Sequence, residues 1–276
     1  FSIYEGVAAL SQEMHKRRKL MMANAALWRW PWYAHVLDAM GTEVNWHPGG
    51  EYQPDSDAVF NYRRALSYQK PYLLLQNTDY DQFGPQLVER YMQRCLFYGC
   101  FPGFFSQNAA TNPYFGNPRW YNRDRDLFKK YLPLIQRIQK AGWEPVTYAR
   151  VAWAIPALLS GPESPSAADH ESAGLLPAAA SEKPDVILLE RWGRPATGAV
   201  YLTVFNGSPV PTLIGLEIDA SALGLPEPTP DDPLPYTLTD LVTNRTLARA
   251  ASGEPCLSLE PESVALLEVK PADLKP

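Results

Sequence analysis

Through its first half the chain alternates amphipathic helical stretches with short apolar runs, and through its second half it shows short β runs. Residues 1–19 place Ile3, Val7, Leu10 and Met14 on one helical face and close on a basic run, which suits a helix C-terminus. The apolar run 20–23 predicts a strand ending at Asn24. Residues 36–43 predict a second strand, whose polar tip continues as Asn45, Trp46 and His47. After a Gly/Pro-rich loop holding Glu51 and Asp55, Asp57 is placed to cap a helix over 58–69. Residues 72–75 are four large apolar side chains with neither helical nor alternating periodicity, as in a strand buried on both faces of a parallel sheet. That run turns abruptly polar at Gln76, Asn77, Thr78 and Asp79. A helix over 85–98 follows, then a strand over 101–105 with the tip Ser106, Gln107 and Asn108. A helix over 122–141 ends at Gly142 and is expected to kink or loosen at Pro133. Residues 143–150 predict a fifth strand, with Tyr148 and Arg150 at its tip.

Five strands alternating with helices make about half of a (β/α)8 barrel. No glycine-rich phosphate loop or P-loop is present to favour an open nucleotide-binding sheet. Residues 158–183, rich in Ala, Ser, Pro and Glu without periodicity, predict a linker or flexible loop. Beyond them, β runs near 186–192, 200–205, 212–218, 236–241, 256–259 and 264–269 alternate with turn signals and predict an antiparallel β-sandwich. The expected fold class is therefore α/β: the second half of a TIM-type barrel over 1–157, a linker, and a sandwich over 184–276.

Composition narrows the functional classes. A formal charge of −5 and a pI near 5.5 leave no basic footprint, which argues against nucleic acid and anionic membranes as partners. No apolar run approaches the roughly 20 residues of a membrane span, and the chain opens without Met or a signal-peptide pattern. Cys95, Cys100 and Cys256 fit neither a zinc spacing nor an even disulfide framework, and they leave the compartment open. The sequons at Asn206 and Asn244 matter only in a glycosylating host. No cofactor and no metal ion are implied.

In parallel α/β sheets, ligands gather at the carboxyl ends of strands. Glu43 stands at such an end beside the Trp46 indole, and burial against a ring would raise its pKa toward that of a general acid; the alternative is an exposed loop carboxylate. Asp79 can serve the site, cap the next helix, or do both. His47 has no second His at ligand spacing, which suits a hydrogen-bonding or exposed role. Trp28, Trp30 and Trp32 surround Pro31 and cannot share one regular face; they form either a stacking platform at a pocket rim or an apolar plug.

The segments Tyr68-Gln69-Lys70-Pro71-Tyr72-Leu73-Leu74-Leu75-Gln76-Asn77-Thr78-Asp79, Arg94-Cys95-Leu96-Phe97-Tyr98-Gly99, Tyr121-Asn122-Arg123-Asp124-Arg125 and Ala141-Gly142-Trp143-Glu144-Pro145-Val146-Thr147 resemble a group of largely uncharacterised bacterial proteins similar to glycoside hydrolases. Those belong with the wider α-amylase and α-galactosidase-like barrels and carry a (β/α)8 barrel followed by a sandwich, whose last strands residues 257–269 resemble. The resemblance implies that this chain begins just before strand four of the barrel. A missing N-terminal segment or another chain would then complete it, because half a barrel has exposed edges. In related barrels a catalytic Asp often lies on an early or fourth strand; here the fourth tip is Asn24, which leaves room for a nucleophile outside this sequence.

The resulting expectation is hydrolysis of an oligo- or polysaccharide by paired carboxylates, with Glu43 as general acid/base and Asp79 as its partner. Asn24, Asn45, His47, Asn77, Asn108, Tyr148 and Arg150 would bind hydroxyls, and Trp28, Trp30, Trp32 and Trp46 would crowd the pocket. Two rivals stay open: a noncatalytic glycan-binding protein, and a structural subunit or fragment of an assembly. The sandwich is expected to support the barrel, since only Trp192 of the eight Trp lies beyond Trp153.

Overall fold

Strands β1 (Met22–Asn24), β2 (Ala39–Val44), β3 (Tyr72–Gln76) and β4 (Phe101–Phe104) pair in parallel and in chain order. The computed structural model describes residues 2–24, 30–67, 69–107, 112–156, 187–225 and 236–271. The chain divides into two compact units, Phe1–Gln139 and Lys140–Pro276, and the parallel sheet belongs to the first. Among the described residues four α-helices accompany it: α1 (Ile3–Lys16), α2 (Asp57–Leu66), α3 (Pro85–Tyr98) and α4 (Pro118–Ala141). Local chemistry sets their ends. Ser2 and Glu5 form a reciprocal capping box on α1, while α3 starts on Pro85 and stops at Gly99 with φ 67°. Helix α4 runs for 24 residues with Pro133 inside it.

The strand register assigns the two faces of this sheet. Met40, Val44, Tyr72, Leu74, Gln76 and Phe104 share one face and are all buried. Helix-borne rings pack there, with Tyr91 5.4 Å from Phe104 and Phe128 5.2 Å from it between centroids. Met22, Asn24, Gly41, Glu43, Leu73, Leu75 and Gly103 occupy the opposite face. Two glycines on that face let neighbouring side chains lie flat across it. A Cβ on Gly41 would come within 2.4 Å of Met22 Cε, and one on Gly103 within 2.6 Å of Leu75 Cδ2 and 2.9 Å of the Leu74 carbonyl oxygen. Gly103→Ala is expected to destabilise the first unit by about 1–3 kcal/mol through overpacking, measured as a lower denaturation midpoint at unchanged m-value.

Asp38 clasps α1 to the sheet. Its carboxylate accepts from the Met21 N–H at 2.7 Å and meets His15 Nε2 at 2.8 Å. Desolvation acts to raise the Asp38 pKa, but the Met21 N–H, the His15 bond and charge, and Lys70 hold it below the ordinary carboxylate value. Since the folded pKa lies below the unfolded one, the clasp's contribution is present above roughly pH 4 and is lost as pH falls through the folded value. An NMR titration of the Asp38 carboxyl carbon should therefore show a midpoint below that of an unfolded-chain Asp, and His15→Gln should move it upward.

Among the described residues the parallel sheet has four strands and is open, not a closed barrel. The predicted fifth strand departs from it. After a short antiparallel ribbon of β5 (Ser106–Gln107) and β6 (Asn112–Pro113), and after α4, residues 143–150 split between two strands. β7 (Trp143–Glu144) and β8 (Ala149–Pro156) both pair antiparallel within the second unit, so this unit takes up residues from position 140, earlier than the sequence-derived limit of 157. Gly142 at φ 88° and Tyr148 at φ 52° break the run. The alternating burial of β8 is that of a half-covered antiparallel strand. The segment read as a linker, 158–183, lies outside the described residues.

The second unit contains β9 (Ile187–Trp192), β10 (Val200–Asn206), β11 (Thr212–Ile218), β12 (Tyr236–Asp240), β13 (Arg245–Thr246), β14 (Ala248–Arg249), β15 (Pro255–Leu259) and β16 (Val264–Pro271). They form a six-stranded sheet ordered β13-β12-β16-β10-β9-β7 and a four-stranded sheet ordered β14-β15-β11-β8. One core draws Leu202, Val204 and Leu267 from the larger sheet and Ile214, Leu216 and Leu259 from the smaller. Asn206, part of a sequon, is fully buried; its amide donates to the carbonyls of Val210, Leu259 and Glu260, so it serves the fold and offers no glycan attachment point.

Candidate functional site

The carboxyl ends of β2 and β3 lie side by side because the ladder continues past them, the Asn77 N–H donating to the Val44 carbonyl at 2.8 Å. Beyond β2 the chain runs through Asn45, Trp46 and His47 into a 3-10 turn, Pro48–Gly50, where Gly49 at φ 64° and Gly50 at φ 87° take backbone conformations that disfavour side chains. Beyond β3 it runs through Asn77, Thr78 and Asp79 into a second turn. Between these two loops is a cavity of about 570 Å³ lined by Asn45, His47, Gly49, Gly50, Asn77, Thr78, Asp79 and Gln82.

Four residues singled out from the sequence, Asn45, His47, Asn77 and Asp79, thus come together. Asp79 also shapes its own turn: Oδ1 accepts from the Asp81 N–H at 2.9 Å, and Oδ2 from the Gln82 side-chain amide at 3.0 Å. The helix-cap reading of Asp79 is corrected, since α3 begins at Pro85 and its N-cap is Gly84. Beneath the turn, Arg123 donates to the carbonyls of Tyr80 at 2.8 Å and Phe83 at 3.1 Å while holding the fully buried Asp124. The Asp124 bond, opposed by desolvation and reinforced by the Asp124 charge, raises the Arg123 pKa. The Trp120 indole N–H donates to Asp81 at 2.8 Å.

Glu43 does not line this cavity. It is exposed, on the face of β2 away from the helices, and its Oε1 accepts from Asn24 Nδ2 at 2.8 Å. The expected burial of Glu43 against Trp46 is not formed, because Glu43 lies on the exposed face of β2 whereas Trp46, beyond the end of that strand, packs into the core. Trp46 is a core residue, 1% exposed, packed edge-on against Phe60 at 5.7 Å and Tyr91 at 5.1 Å; it presents no ring to a ligand. His47 packs its ring edge toward Phe83.

Trp30 and Trp32 are 46% and 48% exposed, and both lean on Tyr33. Lys70 anchors their turn by donating to the carbonyls of Ala34 at 2.6 Å and Leu37 at 2.7 Å. Trp28 and Asn108 lie outside the described residues. Tyr148 and Arg150 belong to the second unit, in a groove of about 410 Å³ with Glu217 and Asp219; they are not at a parallel-strand tip. Sequence reasoning had Thr78 in the polar tip after β3 but passed over Gln82 and the two glycines as cavity lining. A Pro-Gly-Gly turn directly after a strand tip, and an Asp-x-x-Gln spacing after the next tip, were the available signals. Among the described residues, no three His, Cys, Asp or Glu side chains gather into a group able to hold a metal ion.

No protein-family model and no curated protein matches the chain. Solved structures do. An α-amylase from Anoxybacillus, of a new glycosyl hydrolase subclass, is similar with a TM-score of 0.51 at 10% identity, over 97% of this chain and 56% of that one. The Geobacillus thermoleovorans α-amylase complexed with acarbose gives 0.46 at 11% identity, over 96% of this chain and 63% of its own. A GH27 β-L-arabinopyranosidase from Geobacillus stearothermophilus gives 0.34 at 11% identity, over 89% and 61%. The chain therefore spans less than two thirds of each of these enzymes. At such identity the likeness, carried by the Anoxybacillus enzyme, is one of fold.

Proposed function

We propose that the protein acts on an oligo- or polysaccharide, with a sugar ring seated in the cavity beyond β2 and β3. One observation carries this reading: the cavity's polar lining consists of amides from Asn45, Asn77 and Gln82, the Asp79 carboxylate and the His47 imidazole. Such a mixture of donors and acceptors complements hydroxyl groups that both give and accept hydrogen bonds. The glycoside-hydrolase-like fold supports the same reading at its own, coarser level. In the proposed hydrolysis, Asp79 and Glu43 are the two carboxylates. Glu43 stands two residues before Asn45 on β2, roughly 6.6 Å along the strand, and Asn24 orients it.

The parallel sheet, open at β1 and β4 among the described residues, would be extended by a further segment or a second chain, which would also wall the open face bearing Glu43. The completed protein would be a barrel with the two antiparallel sheets as its sandwich. A second reading, glycan binding without turnover, is favoured by a separate observation: both Asp79 oxygens are engaged by the turn, and Glu43 lies outside the cavity lining. Incubating the protein with a panel of α- and β-linked oligosaccharides, and measuring affinity and released reducing ends together, tests both. Affinity with turnover supports hydrolysis, affinity alone supports the second reading, and neither would refute the proposal.

A further inference from the structure

We propose that the groove beside Tyr148 in the second unit is a separate glycan-binding site that takes an uncharged sugar ring by stacking. The groove holds about 410 Å³ and is lined by Val146, Thr147, Tyr148, Arg150, Glu217 and Asp219 among others, none of which lines the cavity of the first unit.

Its aromatic platform is set before any ligand arrives. Tyr148 takes φ 52°, a conformation that bulky residues adopt only when their surroundings impose it. Three contacts impose it here. The buried Arg191 guanidinium lies 4.6 Å from the Tyr148 ring centroid and is itself paired with Glu144 on β7 at 3.5 Å. The Asp219 N–H donates to the Tyr148 carbonyl at 2.9 Å. Thr147 Oγ1 donates to the Ala149 carbonyl at 2.7 Å, tightening the turn. With Arg191 behind it, the ring is still 38% exposed. A ring fixed in this way loses little freedom when a flat partner stacks on it.

The polar rim selects the class of partner. Arg150 donates to Glu217 Oε2 through Nε at 2.9 Å and Nη2 at 2.6 Å, and Asp219 Oδ1 accepts from the Ala222 N–H. The two opposite charges of the Arg150–Glu217 pair neutralise each other, and the Asp219 carboxylate, which already accepts from the Ala222 N–H, leaves the rim a net negative charge that disfavours an anionic ligand while the rim still offers hydrogen bonds. An apolar ring face next to donors and acceptors fits a sugar, which has an apolar face and hydroxyls at its edge. Because β7 and β8 join this unit, Trp143 and Trp153 lie in it with Trp192, and the aromatic imbalance that pointed to a purely supporting role is reduced.

The test is affinity electrophoresis of the full chain through native gels cast separately with soluble starch, xylan and mixed-linkage β-glucan. At least one polysaccharide should retard the protein. Tyr148→Gly deletes the ring while suiting the positive φ, and Arg150→Gln breaks the exposed pair; each should weaken retardation roughly tenfold with the melting temperature unchanged. Asn77→Ala in the first-unit cavity should leave this component in place. Loss with Tyr148→Gly and Arg150→Gln sustains the second site even if the cavity reading fails. Retardation that disappears only with Asn77→Ala, that survives both second-unit variants, or that is absent from every gel overturns it.

Discussion

Asp124→Ala should unfold the first unit at a melting temperature roughly 10 °C below that of the unaltered protein, a loss of about 3 kcal/mol. Asp124 is fully buried, and it accepts from Arg123 Nε at 2.8 Å, from Arg123 Nη2 at 2.7 Å and from the Tyr114 hydroxyl at 2.8 Å. Removing it leaves the guanidinium without its bonded countercharge, with only the more distant Asp81 charge nearby, and leaves the buried Tyr114 hydroxyl only a long 3.5 Å contact to the Trp120 carbonyl. Breaking a buried pair from one side costs about 3–5 kcal/mol, and the lower end applies because Arg123 keeps 23% of its side-chain exposure. The damage reaches the site, since the same guanidinium braces the Tyr80 and Phe83 carbonyls of the turn that carries Asp79. Asp124→Asn, which retains an acceptor for Tyr114, should cost less. Calorimetry of both variants checks the order, and an Asp124→Ala protein as stable as the parent would mean that the network contributes nothing.

Asp79→Asn should lower kcat on any glycan the protein hydrolyses by about 10²–10⁴-fold, the range contributed by a positioned acid or base. The substitution is nearly isosteric, and its remaining oxygen still accepts from the Asp81 N–H, so the turn and the melting temperature should hold. Glu43→Gln should act on kcat to a similar degree if Glu43 is the second carboxylate, while Asn24→Ala, which removes only its orienting amide, should have a smaller effect. Steady-state kinetics separates the roles. A change in KM alone at position 79 would make Asp79 a binding residue that takes no part in the chemistry.

The parallel half of the fold was legible because its strands are short apolar runs with polar tips, and Tyr72–Gln76 falls almost where residues 72–75 predicted it. The gathering of Asn45, His47, Asn77 and Asp79 was legible for the same reason: parallel strands end on one side. Two features were hidden. Sequence adjacency suggested that Glu43 meets Trp46, but β2 ends at Val44 and the chain beyond it turns Trp46 into the core while Glu43 stays on the exposed face. Residues 143–150 read as another parallel strand because a short apolar run names no partner; pairing with residues 192 and 212–218 is long-range and left no local signal. The close approach of Met22 to Gly41 and of Leu75 to Gly103 depends on the strand register, which the sequence does not state.

The central claim is that the cavity beyond β2 and β3 holds a sugar, and the side-chain amides of Asn45, Asn77 and Gln82 report on it directly. Their ¹⁵N–¹H resonances can be followed by NMR while the protein is titrated with soluble α- and β-linked gluco-, xylo- and galacto-oligosaccharides. The account predicts saturable shifts of all three amides with a common affinity for at least one oligosaccharide, whether or not signals around Tyr148 also move. Three amides that stay fixed across the whole panel would contradict it.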